Sequence, residues 1–142
     1  MGDRPGGLCI FADINYGGRK VCFLSYGPSN PMLVPELTSR NFNDVTSSFR
    51  VGPRTAVMLF MDNDFCQIRA DGYSRNQVDL TPDLRSASTW LLNQPELQDA
   101  LSSLAILNCG VDSSDQGLFS CLQRLGEAVR KYRVAHLHRE HC

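Results

Sequence analysis

Long apolar runs, histidine outside the C-terminus and closely spaced cysteines are what this chain of 142 residues lacks, and each absence removes a class of function. The longest apolar candidate, 55–61, falls far short of the roughly twenty residues a membrane-spanning helix needs. Lys and Arg total 14 against 15 Asp and Glu, for a formal charge of -1 and a pI near 6.3. No overall basic field therefore exists to gather nucleic acid or anionic lipid, so nucleic acid is not an expected partner and a membrane partner is disfavoured. All three histidines, His136, His138 and His141, lie close to the C-terminus, leaving no imidazole base for the rest of the chain. No GxSxG and no phosphate-binding loop is present either, so an enzyme is not expected. The six cysteines (Cys9, Cys22, Cys66, Cys109, Cys121, Cys142) contain no CxxC pair, which argues against a zinc finger and a thioredoxin-like redox site. Segment 1–8 carries Gly and Pro where a secretory leader would be apolar. That leaves the compartment open between the cytoplasm, export without such a leader, and a leader already removed.

What remains is a chain with 42% apolar and 20% charged residues, enough for one core and an appendage rather than two independent cores. In a chain this long the cysteines do not make the dense framework of a small disulfide scaffold, and they read as buried or free thiols with one candidate bridge among them. Cys9 and Cys22 are the candidate pair. With Leu8 and Ile10 facing the core against Val21 and Phe23, the two cysteines share the other pleat face of neighbouring strands, and a bridge needs their Cα atoms within about 7 Å.

The strands are short and punctuated by Gly, Pro, Asn and Asp. Residues 8–11 and 21–24 flank Asn-Tyr-Gly-Gly, which supplies positive-φ positions for a hairpin; 47–51 ends at Gly52-Pro53, and 56–60 begins the next strand. The pattern then recurs. Phe11 and Tyr16 in FADINYGG align without a gap on Phe60 and Phe65 in FMDNDFCQ. Downstream, NDVTSS at 43–48 matches QDALSS at 98–103, and each leads into an apolar strand. Two blocks recurring in one order argue for duplicated units sharing a core, in an antiparallel sandwich. The segment 88–101, with Trp90, Leu91, Leu92, Leu97 and Leu101 around Pro95, reads as a long connection holding a short helical turn.

These residues resemble the βγ-crystallin superfamily. An aromatic, four residues, an aromatic, one residue and Gly is similar to that family's hairpin, and Phe11, Tyr16 and Gly18 match it. Asn or Asp twice, two free positions, Ser or Thr, then Ser is similar to its calcium block, and Asn43, Asp44, Ser47 and Ser48 match every fixed position. The second unit departs twice, with Gln67 at the hairpin glycine and Gln98 at the first block position. A non-glycine residue there predicts a more open or strained second hairpin. The resemblance spans 7–109 and implies an all-β fold of two Greek keys forming a sandwich, with Ca²⁺ between them. It assigns Ser48 and Ser103 to the hairpins rather than to the metal. It also implies that each block is completed by a carbonyl from the partner motif's hairpin, Met61 for the first and Ala12 for the second.

The chemistry agrees with that implication. Ca²⁺ takes six to eight oxygens, and carboxylate, hydroxyl and carbonyl all qualify. Asp44 and Ser47, with an intervening carbonyl at Val45, form one expected set together with Asn43. Gln98, Asp99, Ala100 and Ser102 form the other. About one carboxylate per site predicts an affinity on the order of micromolar to millimolar. Phe11 and Tyr16 are expected to stack on each other and close their hairpin.

After Gly110 the period changes. Leu118, Leu122, Leu125, Val129 and Tyr132 mark the seam of an amphipathic helix of about twenty residues, with Ser113 and Gln116 as a capping box. Arg124, Arg130, Lys131, Arg133 and Arg139 fall on its far face. The segment 110–142 is thus expected to be a helical extension whose seam packs on its own domain or on a second copy, with a basic membrane-surface or nucleic-acid arm as the sharper alternative. His136, His138, His141 and Cys142 are metal-ligand types in composition, but two histidines two residues apart do not share a helix face. The leading expectation is a non-enzymatic calcium-binding structural or stress-type protein. The alternative is a secreted protease inhibitor or toxin on the same scaffold, stapled by disulfides instead of metal.

Overall fold

A computed structural model describes residues 2–76, 78–80, 101–139 and 142. The first antiparallel sheet has the order β2-β1-β4-β7, from Lys20–Leu24, Gly7–Phe11, Ser48–Val51 and Val78–Leu80. The second has the order β3-β8-β5-β6, from Met32–Val34, Ser103–Asn108, Thr55–Asp62 and Cys66–Ser74. The first four strands make one Greek key and the last four make another. Each key sends its third strand into the other's sheet: β3 pairs with β8 and β7 pairs with β4. Neither key can close its sheet alone, so the two form one body.

Leu8, Ile10, Phe23, Phe49 and Val51 from the first sheet meet Val34, Val57, Leu59, Leu104 and Ile106 from the second. This is the period-2 alternation of a sandwich core. The second sheet is also covered on its other face. The helix α1, Asp115–Leu137, lies there and buries Leu118, Cys121, Leu125 and Val129 against Ala56, Phe60, Phe65, Ala105 and Leu107. Hence β5 and β8 read as nearly continuous apolar runs, while β4 in the other sheet alternates. Ala56 and Ala105 keep the helix-facing surface low, so the helix can approach the sheet.

Several expectations change here. Of the two expectations for the seam of α1, packing on its own domain is the one seen: Leu118, Leu125 and Val129 are buried against the second sheet. The helix starts one residue later than the expected capping box. Ser114 is the N-cap, accepting from the Gly117 amide at 3.1 Å, because Asp112 takes the Ser114 amide at 2.9 Å and turns the chain there. Arg133 does not join the basic outer face; it turns inward, donating to the Phe65 carbonyl. The expected connection 88–101 lies outside the described residues, apart from Leu101.

The cysteine reading is overturned. Cys9 and Cys22, opposite one another in the β1–β2 register with Cα atoms 4.1 Å apart, form the anticipated bridge, but Cys66–Cys142 and Cys109–Cys121 are bridged as well. The last two join the second sheet to the start of α1 and to the chain end just beyond it, so they depend on how the helix docks. Strand parity alone has no access to that.

Candidate metal centre

The two aromatic hairpins are built alike in backbone and bonding. In the first, Asn15 and Tyr16 sit at φ 57° and 61°; in the second, Asp64 and Phe65 sit at 58° and 60°. The Ser48 hydroxyl donates to the Asp13 carbonyl at 2.7 Å and accepts the Tyr16 amide at 3.0 Å. Ser103 does the same with Asp62 at 2.6 Å and Phe65 at 3.1 Å. The rings close edge to face, Phe11 on Tyr16 at 5.8 Å and Phe60 on Phe65 at 5.4 Å. The final serine of each block therefore holds its hairpin, as the resemblance implied.

The fifth residue of each block is fixed just as symmetrically. The Ser47 amide donates to the Phe11 carbonyl at 2.8 Å, and the Ser102 amide to the Phe60 carbonyl at 2.9 Å. Each serine thereby sits at the root of its own motif's hairpin, Ser47 beside Ala12 and Ser102 beside Met61. Asp44 goes elsewhere. Its amide bonds the Leu101 carbonyl at 3.0 Å, and its carboxylate accepts from the Ser102 hydroxyl at 3.2 Å. The expected set of Asp44 with Ser47 is thus crossed: Asp44 of the first key meets Ser102 of the second, next to Met61. The exchanged strand is the cause. Because β3 belongs to the second sheet, the chain from 35 to 44 is still beside the start of β8 when it reaches Asp44, and it enters the first sheet only at Ser48.

This corner offers the Asp44 carboxylate and the Ser102 hydroxyl, beside the chain at Met61. Asn43 donates its amide to Asp44 at 3.2 Å, while its own Oδ1 is buried with no hydrogen-bond partner among the described residues. An orphaned buried acceptor beside a carboxylate fits a hard cation that takes oxygen ligands. Among the described residues no group of three His, Cys, Asp or Glu lies together, so soft or imidazole-rich metal chemistry has no counterpart there. Val45 packs its side chain against the sandwich core, as does Ala12. Gln98, Asp99 and Ala100 lie outside the described residues, so of the second expected set only Ser102 and Ala12 are on view.

Of the tail histidines, His136 and His138 do not converge, and His141 lies outside the described residues. His136 stacks on Tyr132 at 4.0 Å, and His138 caps the helix in the left-handed region at φ 58°.

No family model matches the chain, and no curated protein matches it. Solved βγ-crystallin domains do. One from Flavobacterium johnsoniae is 22% identical, with 74% of this chain and 98% of that one covered at a TM-score of 0.45. One from Ciona intestinalis is 24% identical, covering 70% and 96% at 0.43. One from Clostridium beijerinckii is 19% identical, covering 72% and 98% at 0.44. The exchanged third strands and the twin serine-anchored hairpins, rather than these overlaps, decide the architecture. The fold is of the βγ-crystallin type. Within that fold the α1 layer is an addition over the second sheet, and it makes the two hairpins of this βγ-crystallin-type domain unequal.

The first hairpin has Gly18 at φ 75° and the Arg50 guanidinium over the Tyr16 ring at 4.9 Å. The second holds Gln67 at φ 59°, where a side chain costs about 1 kcal/mol, so the expected strain is present. Around it the tail closes in. Tyr132 packs edge to face on Phe65 at 5.0 Å with its hydroxyl 3.5 Å from Asp64, Arg133 donates to the Phe65 carbonyl at 3.1 Å, and Cys142 is bonded to Cys66. Burial, followed by the Asp64 charge, pushes the Tyr132 phenol above its ordinary value. Neither Tyr132 nor Arg133 was marked for this role in the sequence. The usable signal was that both fall within the helix while the second hairpin lacks its glycine.

Proposed function

We propose that this chain is a non-enzymatic structural protein whose two Greek keys are tied by Ca²⁺. The observation that carries the reading is the contact of the Asp44 carboxylate with the Ser102 hydroxyl across the two keys, at 3.2 Å. A cation seated there would take Asp44, Ser102 and the Met61 carbonyl. By bonding both keys at once it would oppose their separation. Stabilisation follows from linkage, about 2.7 kcal/mol for one site at a hundredfold excess over its dissociation constant. With a single carboxylate in the set, the affinity belongs in the micromolar to millimolar range. In thermal melts of the oxidised chain, excess calcium is expected to raise Tm relative to EDTA, and Asp44→Ala to remove most of that rise. A calcium-independent Tm in the unmodified chain would end the proposal.

The three disulfides favour a second reading, a secreted domain whose scaffold presents loops to a protease or another target. Disulfides persist in oxidising compartments, and here they restrain both sheets without any metal. Protease inhibition that survives EDTA would support that reading over the first.

A further inference from the structure

We infer that α1 is a covalently latched brace for the second hairpin, and that opening the Cys66–Cys142 disulfide lowers the calcium affinity of the adjoining cradle. The calcium half of this inference rests on the function proposed above; the brace itself rests on geometry alone. The two hairpins share backbone conformation and serine anchors, yet the second lacks the glycine and keeps Asp64, Phe65 and Gln67 in the left-handed region. Among the described residues its further support comes from the Pro35 carbonyl, which accepts the Asp64 amide at 2.7 Å, and from the C-terminal end of α1 together with Cys142 beyond it. There Tyr132 covers the Phe65 ring, Arg133 holds the Phe65 carbonyl, and Cys142 bonds the next residue, Cys66.

The path from latch to cradle is short. The Phe65 amide donates to the Ser103 hydroxyl, which in turn donates to the Asp62 carbonyl. Ser102, the preceding residue, has its amide on the Phe60 carbonyl and its hydroxyl on Asp44. A hairpin free to open would shift the carbonyls near Met61 and the start of β8 together, and those are the groups that pre-arrange the cradle.

The latch is also the bridge most open to solution, since it alone has a fully exposed cysteine, although Cys22 of the Cys9–Cys22 bridge is half-buried like Cys66. Cys142 is exposed and Cys66 half-buried, whereas Cys109 and Cys121 are 7% and 0% exposed and Cys9 is 4% exposed. Exchange requires a thiolate to reach a sulfur. A dithiol reductant would attack one sulfur of the pair and expel the other as a thiolate. Its second thiol would then resolve the mixed disulfide. Two electrons pass to the Cys66–Cys142 bond, both cysteines end as thiols, and the reductant leaves as its own disulfide.

The test compares the full oxidised chain, the same chain after brief treatment with a dithiol, Cys142→Ser, and Arg133→Met, which keeps all three bridges. Amide hydrogen exchange at Phe65 and Cys66 and isothermal calcium titration are read on each. Faster exchange at these two amides and about tenfold weaker calcium binding are expected on treatment and in Cys142→Ser, with a smaller change of the same sign in Arg133→Met. Unchanged exchange and unchanged affinity in Cys142→Ser and Arg133→Met would overturn the inference. If the oxidised chain takes up no calcium, the calcium half fails with the proposed function, and the exchange rates alone decide whether the brace exists.

Discussion

Two hairpins with nearly superimposable hydrogen bonding stand in different surroundings. Among the described residues the first is held from within its own motif: Gly18 accepts the left-handed conformation, and Arg50 from the adjacent strand lies over the rings. Its Tyr16 ring remains partly open to solvent. In the second, Phe65 is wholly buried beneath α1, and a side chain stands where the glycine was. Local sequence stabilises one copy of the repeat and an added layer stabilises the other. A substitution that weakens a hairpin from within can persist once an outside element covers the cost.

The comparison is tested hardest at the anchoring serines. Ser103→Ala strands the buried Phe65 amide and is expected to cost about 2 kcal/mol, whereas Ser48→Ala, at a hairpin that water can reach, should cost about 1 kcal/mol. Equal losses in chemical unfolding would mean that burial under α1 adds nothing. Next in size come the glycine positions. Gly18→Ala places a Cβ 2.5 Å from an exposed Asp13 oxygen that can move aside, so the loss is mainly the backbone strain of about 1 kcal/mol. Gln67→Gly relieves the same strain but gives the unfolded chain more freedom, for a net gain near 0.5 kcal/mol. A loss on Gln67→Gly would show that the side chain itself supports the hairpin.

The smallest effect concerns alkaline pH. Tyr132 has its folded-state value raised above the ordinary 10.0, so the folded protein holds this proton more tightly than the unfolded chain. The associated stability is fully present below about pH 10 and declines as pH rises through the folded-state value. Tyr132→Phe is expected to flatten that decline, as followed by near-ultraviolet circular dichroism. An unchanged alkaline profile would detach Tyr132 from the second hairpin.

Much of the fold was legible because its determinants are local. The aromatic pair, the turn residues and the Ser-Ser ends of the blocks each act within one hairpin and the strand beside it. The seam of α1 was equally readable from its period. The partner of Asp44 was not. It stands three positions from Ser47 in the chain, but the crossing of β3 into the other sheet brings Ser102 to its carboxylate instead. Nor could spacing reveal that Cys66 and Cys142 meet across 76 residues, since their pairing follows from helix docking.

Sequence by itself determined that the chain carries two copies of a short-stranded unit, each with a folded aromatic hairpin, followed by one amphipathic helix. Those features arise from backbone preferences and residue periods that act over a few positions. Tertiary structure alone decided which oxygens share a corner, which cysteines bond and which hairpin is braced. Contacts between distant segments depend on how the exchanged strands and the helix pack, and chain order does not specify that packing.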